Sequence, residues 1–151
     1  MSTQDKWPRF GFIGTGNMGG ALARALRRRV PGENILLSNR TYEKAAVLAA
    51  ELGCAAERDN QAVAAKAEYI FLGVKPQGMA CMLGDIAPAL RARRDRFILV
   101  NIAAGLNIED LRRMAGSDYP VINLKPNTPA AIGQGMSLYL CSPDITKAEE
   151  A

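Results

Sequence analysis

Gly14, Gly16 and Gly19 fall at the spacing with which a chain wraps a diphosphate in its own backbone. Gly14 can take a tight turn, Gly16 has no Cβ to block the phosphates, and Gly19 lets the next helix sit close to the preceding strand. A helix beginning at Asn17 would aim free N–H groups and its positive dipole end at the anion, so Ile13, Thr15, Asn17 and Met18 join the glycines as candidate ligands. About 20 residues on, where an acid would select a free ribose 2′-hydroxyl, stand Ser38, Asn39, Arg40 and Thr41. Arg40 can form a charge-assisted, bidentate contact with a 2′-phosphate, and no carboxylate is there to repel it. Thr41 reads equally as the cap of the next helix. The chemistry implied is the binding of a nicotinamide dinucleotide, NADP(H) in preference to NAD(H).

Other chemistries are excluded by composition. The sequence has no histidine, which removes Ser-His and Cys-His nucleophiles and the usual general base. The three cysteines, Cys54, Cys81 and Cys141, lie far apart without a CxxC pair, so no metal site or disulfide framework is expected, only reduced, partly buried thiols. The net charge of +4 comes from 19 basic against 15 acidic residues, with arginines concentrated at 27–29, at 91, 93, 94 and 96, and at 112–113. Each group falls near the end of a predicted helix, where cations complement the dipole, and no aromatic residues interleave them, so nucleic acid is not expected as a partner. With 48% hydrophobic and 23% charged residues the chain has an ordinary globular composition. It has no apolar run near the roughly 18 residues of a membrane span and no signal-peptide core, so a cytoplasmic protein without a membrane partner is expected. Its 151 residues suit one domain.

The scaffold that would position these residues alternates short apolar runs with amphipathic segments. Strands are predicted from near Arg9 up to the glycine turn and at 35–37, 55–56, 69–74, 97–102 and 121–124, which makes an α/β fold with a doubly wound, mainly parallel sheet of about six strands. Between them lie a helix from Asn17 to Arg29 and a helix after Thr41 with Ala45, Leu48, Ala49 and Leu52 on one face, ending at Gly53. A short helix from Asp59 or Asn60 to Lys66 follows, and then one with Met79, Met82, Leu83 and Ile86 at helical spacing that Pro88 interrupts or restarts. Asn107 and Asp110 have the spacing of a reciprocal cap. Pro126 and Pro129 bracket a stiff Asn127-Thr128 loop, and Pro143 would open a further helix.

Five stretches in this order and spacing, Phe12-Ile13-Gly14-Thr15-Gly16-Asn17-Met18, Ser38-Asn39-Arg40, Val74-Lys75-Pro76-Gln77, Ile102-Ala103-Ala104-Gly105 and Pro126-Asn127-Thr128-Pro129, resemble pyrroline-5-carboxylate reductase. The resemblance implies hydride transfer from NADPH to 1-pyrroline-5-carboxylate, giving L-proline. It further implies that Gly14, Gly16, Asn17 and Met18 hold the pyrophosphate, and that Ser38, Asn39 and Arg40 hold the adenosine ribose phosphate. Asn60, Val74, Lys75, Pro76, Ala103, Ala104 and Gly105 take the rest of the cofactor, with Asn127, Thr128 and Pro129 bordering the nicotinamide. Asn123 and Lys125 depart from the family pattern of an arginine and a methionine. The resemblance spans a Rossmann domain, 1–151, ending at the helix start near Pro143, and only the family's nucleotide-binding half. The family's helical domain, which builds the dimer and holds the proposed proton donor, has no counterpart here. The chain is therefore expected to bind cofactor with little turnover by itself, as a monomer or a weak self-associate, and no catalytic residue is named. Two alternatives share the glycines: another reductase, of the beta-hydroxyacid dehydrogenase or F420-dependent type, and a non-catalytic NADP-binding module.

Overall fold

Runs rich in Ile, Leu, Val and Phe form strands because helices cover the sheet and bury alternate side chains on its two sides. The computed structural model describes residues 9–15, 17–103, 105–126 and 137–141, with backbone alone at 17, 18, 124–126 and 137–141. The strands are β1 (Phe10–Ile13), β2 (Ile35–Ser38), β3 (Ala55–Glu57), β4 (Tyr69–Leu72), β5 (Ile98–Asn101), β6 (Val121–Pro126) and β7 (Ser137–Cys141). They form one sheet in the order β3-β2-β1-β4-β5-β6-β7. The first six are parallel, as expected from the alternating pattern. The seventh is an addition: the apolar run near 136–140 pairs antiparallel with β6, with Ile122 opposite Cys141.

Among the described residues five α-helices accompany the strands, α1 (Asn17–Arg27), α2 (Tyr42–Leu52), α3 (Asn60–Lys66), α4 (Pro76–Ala92) and α5 (Ile108–Ala115), with a single 3-10 turn at Gly32–Asn34 leading into β2. Phe12, Ile35 and Leu37 pack with Ala23, Ala45, Leu48 and Ala49 on the α1 and α2 side. Ile13, Ile70, Leu72 and Leu99 pack with Val63, Met79, Leu83, Ile86 and Leu111 on the other. Neighbours such as Phe12 and Ile13 thus point to opposite layers, as strand geometry requires. Among the described residues Val47 is the large hydrophobic left exposed, at 70%.

The helix ends carry the expected chemistry with two corrections. Asp59 accepts from the Gln61 N–H at 3.0 Å, the Asn107–Asp110 cap is reciprocal at 2.7 and 3.1 Å, and Gly53 closes α2 at φ 69°. Thr41, in contrast, sits at the start of α2 without a capping bond from its side chain; its carbonyl instead accepts from the Lys44 N–H at 3.0 Å. Pro88 does not interrupt α4, which runs through it to Ala92. Both Pro88 and Gly84, four residues earlier, are exposed, so the carbonyl deprived of its partner lies on the solvent side.

Asn101 and Asn123, both buried, meet across β5 and β6. The Asn101 amide donates to Asn123 Oδ1 at 2.9 Å and to the Ala103 carbonyl at 3.1 Å, and its oxygen accepts from the Ala103 N–H at 3.0 Å. Asn123 donates to the Leu106 carbonyl at 3.1 Å. The departure at 123 therefore has a structural role: the pair holds both ends of the loop that leaves β5. Asn123→Leu should lower stability by about 1–3 kcal/mol in urea unfolding, the range for stripping partners from buried polar groups. Adding Asn101→Leu should cost less than the sum of the two single changes; full additivity would mean that the two amides do not cooperate.

Candidate functional site

The register of two strands builds the centre of the site. Phe10 stands opposite Tyr69 and Phe12 opposite Phe71 across β1 and β4, and the rings stack at 5.4 and 4.4 Å between centroids. Such pairs pin register. With Ile13 level with Leu72, Gly14 and Gly73 leave neighbouring strands at the same height, where the Gly73 N–H donates to the Ile13 carbonyl at 2.8 Å. A Cβ on Gly14 would meet the Gly73 carbonyl carbon at 2.7 Å and the Val74 nitrogen at 2.9 Å, and Gly14 is at φ +96°. One on Gly73 would meet the Gly14 carbonyl oxygen at 2.5 Å, and one on Gly19 would run into that same oxygen. Three backbone segments therefore close on one another at the point where strand order reverses. Sequence reasoning placed Gly14 and Gly19 but read Gly73 as strand; the available signal was a glycine two residues before Lys75-Pro76.

The second motif is tied to the first by hydrogen bonds. The Gly14 N–H donates to the Ser38 carbonyl at 2.9 Å, and the Thr15 N–H donates to Asn39 Oδ1 at 3.0 Å. Asn39 in turn donates to the Thr41 carbonyl at 3.0 Å. The buried Ser38 hydroxyl donates to Asn60 Oδ1 at 2.8 Å, which joins the end of β2 to the first residue of α3. Asn39 and Ser38 thus shape the loop, while Arg40 at its tip is exposed. Thr15 Oγ1 is buried and, among the described residues, has no hydrogen-bond partner. An orphaned hydroxyl beside a turn that a Cβ would fill fits a ligand rich in acceptor oxygens.

The remaining candidates come to the same edge. Val74 and Lys75 lead from β4 into α4, with Lys75 at its cap position and Pro76 in its first turn. Neither α1 nor α4 has an acid in its first turn, so nothing there competes with an anion for the helix N–H groups. Ala103 is held by Asn101, and Gly105 turns at φ +84° with open space where a Cβ would be. Gly16, Ala104, Asn127, Thr128 and Pro129 lie outside the described residues, as do the side chains of Asn17, Met18 and Lys125.

Two clefts flank this edge or oppose it. One of about 360 Å³ between α1 and α2 is lined by Thr15, Gly20, Arg24, Lys44 and Glu51. There Arg24 donates to Glu51 at 2.8 Å, and this bond holds the Glu51 carboxyl below its ordinary range. The larger, about 610 Å³, lies at the amino ends of β5 and β6 among Arg91, Arg93, Arg94, Phe97 and Tyr119, across the sheet from the glycines. Its Arg93 is committed: it donates to the Ala64 and Ala67 carbonyls and pairs with Asp95 at 2.6 Å. Other arginines serve as helix-end cations, Arg27 donating to the Leu52 carbonyl at 2.8 Å at the end of α2. Cys54 is half-buried, as expected, and burial pushes its thiol pKa up, but Cys81 is exposed because it falls on the solvent side of α4. No group of three or more potential metal ligands occurs among the described residues.

Residues 9–105 match the family described as NADP oxidoreductase, coenzyme F420-dependent. The chain is 35% identical over 143 residues to a pyrroline-5-carboxylate reductase of Pseudomonas aeruginosa, which spans 94% of this chain and 51% of that protein. In fold it is similar to a pyrroline-5-carboxylate reductase of Coxiella burnetii, with a TM-score of 0.83 at 20% identity over 95% of this chain and 53% of the other. It is also similar to the Plasmodium falciparum pyrroline carboxylate reductase solved with NADP bound, with a TM-score of 0.75 at 25% identity over 95% of this chain and 51% of the other. The chain spans about half the length of the curated relatives it matches.

Gly73→Ala should abolish dinucleotide binding by displacing the Gly14 turn and destabilise the fold by about 1–3 kcal/mol, the usual cost of overpacking. Gly84→Ala, in an exposed stretch of α4 with nothing near the new methyl, should leave binding intact and stabilise by about 0.5–1 kcal/mol. Isothermal titration with NADPH and thermal melts read both; retained binding in Gly73→Ala would refute the contact's role.

Proposed function

Because the chain belongs to the NADP oxidoreductase, coenzyme F420-dependent family, we propose that its residues carry the nucleotide-binding part of a reductase. That reductase passes hydride from NADPH to the imine carbon of 1-pyrroline-5-carboxylate, giving L-proline. The observation that carries the reading is the glycine-walled cradle at the switch point between β1 and β4, with the orphaned Thr15 hydroxyl beside it. The substrate assignment draws on the relatives' own names and on the five matching stretches. NADPH supplies the hydride when bound. The protein's share is to bind, orient and exclude water: with the Gly14 and Thr15 N–H groups engaged by Ser38 and Asn39, the backbone N–H groups from Gly16 to Met18 and the α1 dipole hold the pyrophosphate. Asn39 and Arg40 take the adenosine ribose phosphate, and Val74, Lys75, Pro76, Ala103, Ala104 and Gly105 border the nicotinamide half. Such positioning, with reacting carbons about 3–3.5 Å apart, accounts for much of a hydride-transfer rate. We assign the protein to the cytoplasm on its ordinary globular composition.

Cofactor preference should rest on Arg40, which is exposed and, among the described residues, makes no ion pair. NADPH should bind roughly 10-fold more tightly than NADH, toward the lower end of what one charge-assisted pair supplies because the arginine is solvated. Arg40→Ala should erase most of that difference in fluorescence titrations; equal affinities in the wild type would refute it. For the substrate, the protein produced from its native gene should oxidise NADPH with 1-pyrroline-5-carboxylate and fail to reduce NADP⁺ with 3-hydroxy acids. Turnover of the hydroxy acids alone would place it with the dehydrogenases instead.

A further inference from the structure

Arg58 follows β3 and has no role in the site as built so far. Its guanidinium carbon stands 4.0 Å from the centroid of the Tyr42 ring, within the range of a cation over an aromatic face. Tyr42 opens α2, directly after Asn39, Arg40 and Thr41. Because β2 and β3 are parallel with Ser38 opposite Glu57, Arg40 and Arg58 leave the same end of neighbouring strands, whose backbones run about 4.8 Å apart. Both are exposed.

The acids around them are engaged or turned to other work. Glu57 accepts from Lys66 at 3.2 Å, Asp59 caps α3, and Glu43 lines the cleft between α1 and α2. Among the described residues neither Arg40 nor Arg58 is matched with a carboxylate. A phosphate monoester carries a charge of about −1.5 to −2 near neutral pH, more than one guanidinium offsets. An arginine already laid on a ring has lost part of its rotamer freedom before any ligand arrives, so it loses less on binding.

We propose that Arg58, held on the Tyr42 ring, is a second cation for the 2′-phosphate of NADP(H) and sets cofactor preference together with Arg40 at the carboxyl ends of β2 and β3. The assignment rests on the NADP(H) reading above and adds to it a residue that the glycine and Ser38-to-Thr41 motifs do not contain.

The test is titration of NADPH and NADH into wild type, Arg58→Gln, Arg58→Lys and Tyr42→Leu, repeated at several salt concentrations. Arg58→Gln should weaken NADPH about 5- to 20-fold, an exposed charge-assisted contact, and NADH less than about twofold. It should also flatten the salt dependence of NADPH binding, with an unchanged melting temperature. Arg58→Lys should keep most of the NADPH affinity, and Tyr42→Leu should weaken NADPH in the same direction by about two- to fivefold, the loss of an exposed cation–ring contact. Wild type that prefers NADPH, with Arg58→Gln unchanged, overturns this inference and leaves the reductase reading standing. Equal loss of both cofactors in Arg58→Gln overturns it too, since the contact would then lie on a part the cofactors share. Wild type that binds neither cofactor overturns the reductase reading itself.

Discussion

Everything at the carboxyl edge of this sheet depends on a close approach of backbone to backbone. Gly14, Gly19 and Gly73 come from a strand end, a helix and a second strand end, and a Cβ at any of them would intrude on a neighbour's carbonyl or amide. The contact exists because strand order reverses between β1 and β4, so α1 and α4 leave neighbouring strands for opposite faces of the sheet. The stacked pairs Phe10–Tyr69 and Phe12–Phe71 keep the two strands level. A slip of one residue would separate the glycines and send every side chain of the strand to the wrong layer.

Around that contact, polar groups work mainly by positioning. Asn39 bridges the glycine turn to the start of α2, Ser38 and Asn60 join the end of β2 to the start of α3, and Asn101 with Asn123 fixes the loop beyond β5. None of these carries charge. Formal charge enters at exposed tips, through Arg40, Arg58 and Lys75, where a phosphate can meet it without the desolvation penalty of a buried ion. The arginine-rich corner at the amino ends of β5 and β6 follows another logic. There Arg93 satisfies carbonyls at the end of α3 and lies over the Phe97 ring, so it fastens helix to sheet.

Local chemistry in the sequence determined a good deal by itself. The parallel strands, the glycine turn, the Asn107–Asp110 cap and the αL stop at Gly53 all follow from short-range rules, because each depends on residues within one or two turns. The absence of an acid after β2 is likewise legible without any coordinates. Only the tertiary structure decided the rest. Gly73 reads as one more residue in an apolar run until β4 lies beside β1, and the Arg58–Tyr42 contact spans β3 and α2, which no local pattern links. Pro88 stays inside a helix because its face is exposed, and Thr41 leaves its capping bond unmade because the Lys44 N–H is satisfied by backbone. Asn123 looks like a loss of charge in the sequence and is half of a buried amide pair in the fold. The physical reason is common to these cases: propensity is set by neighbours along the chain, whereas close approach and burial are set by neighbours in space.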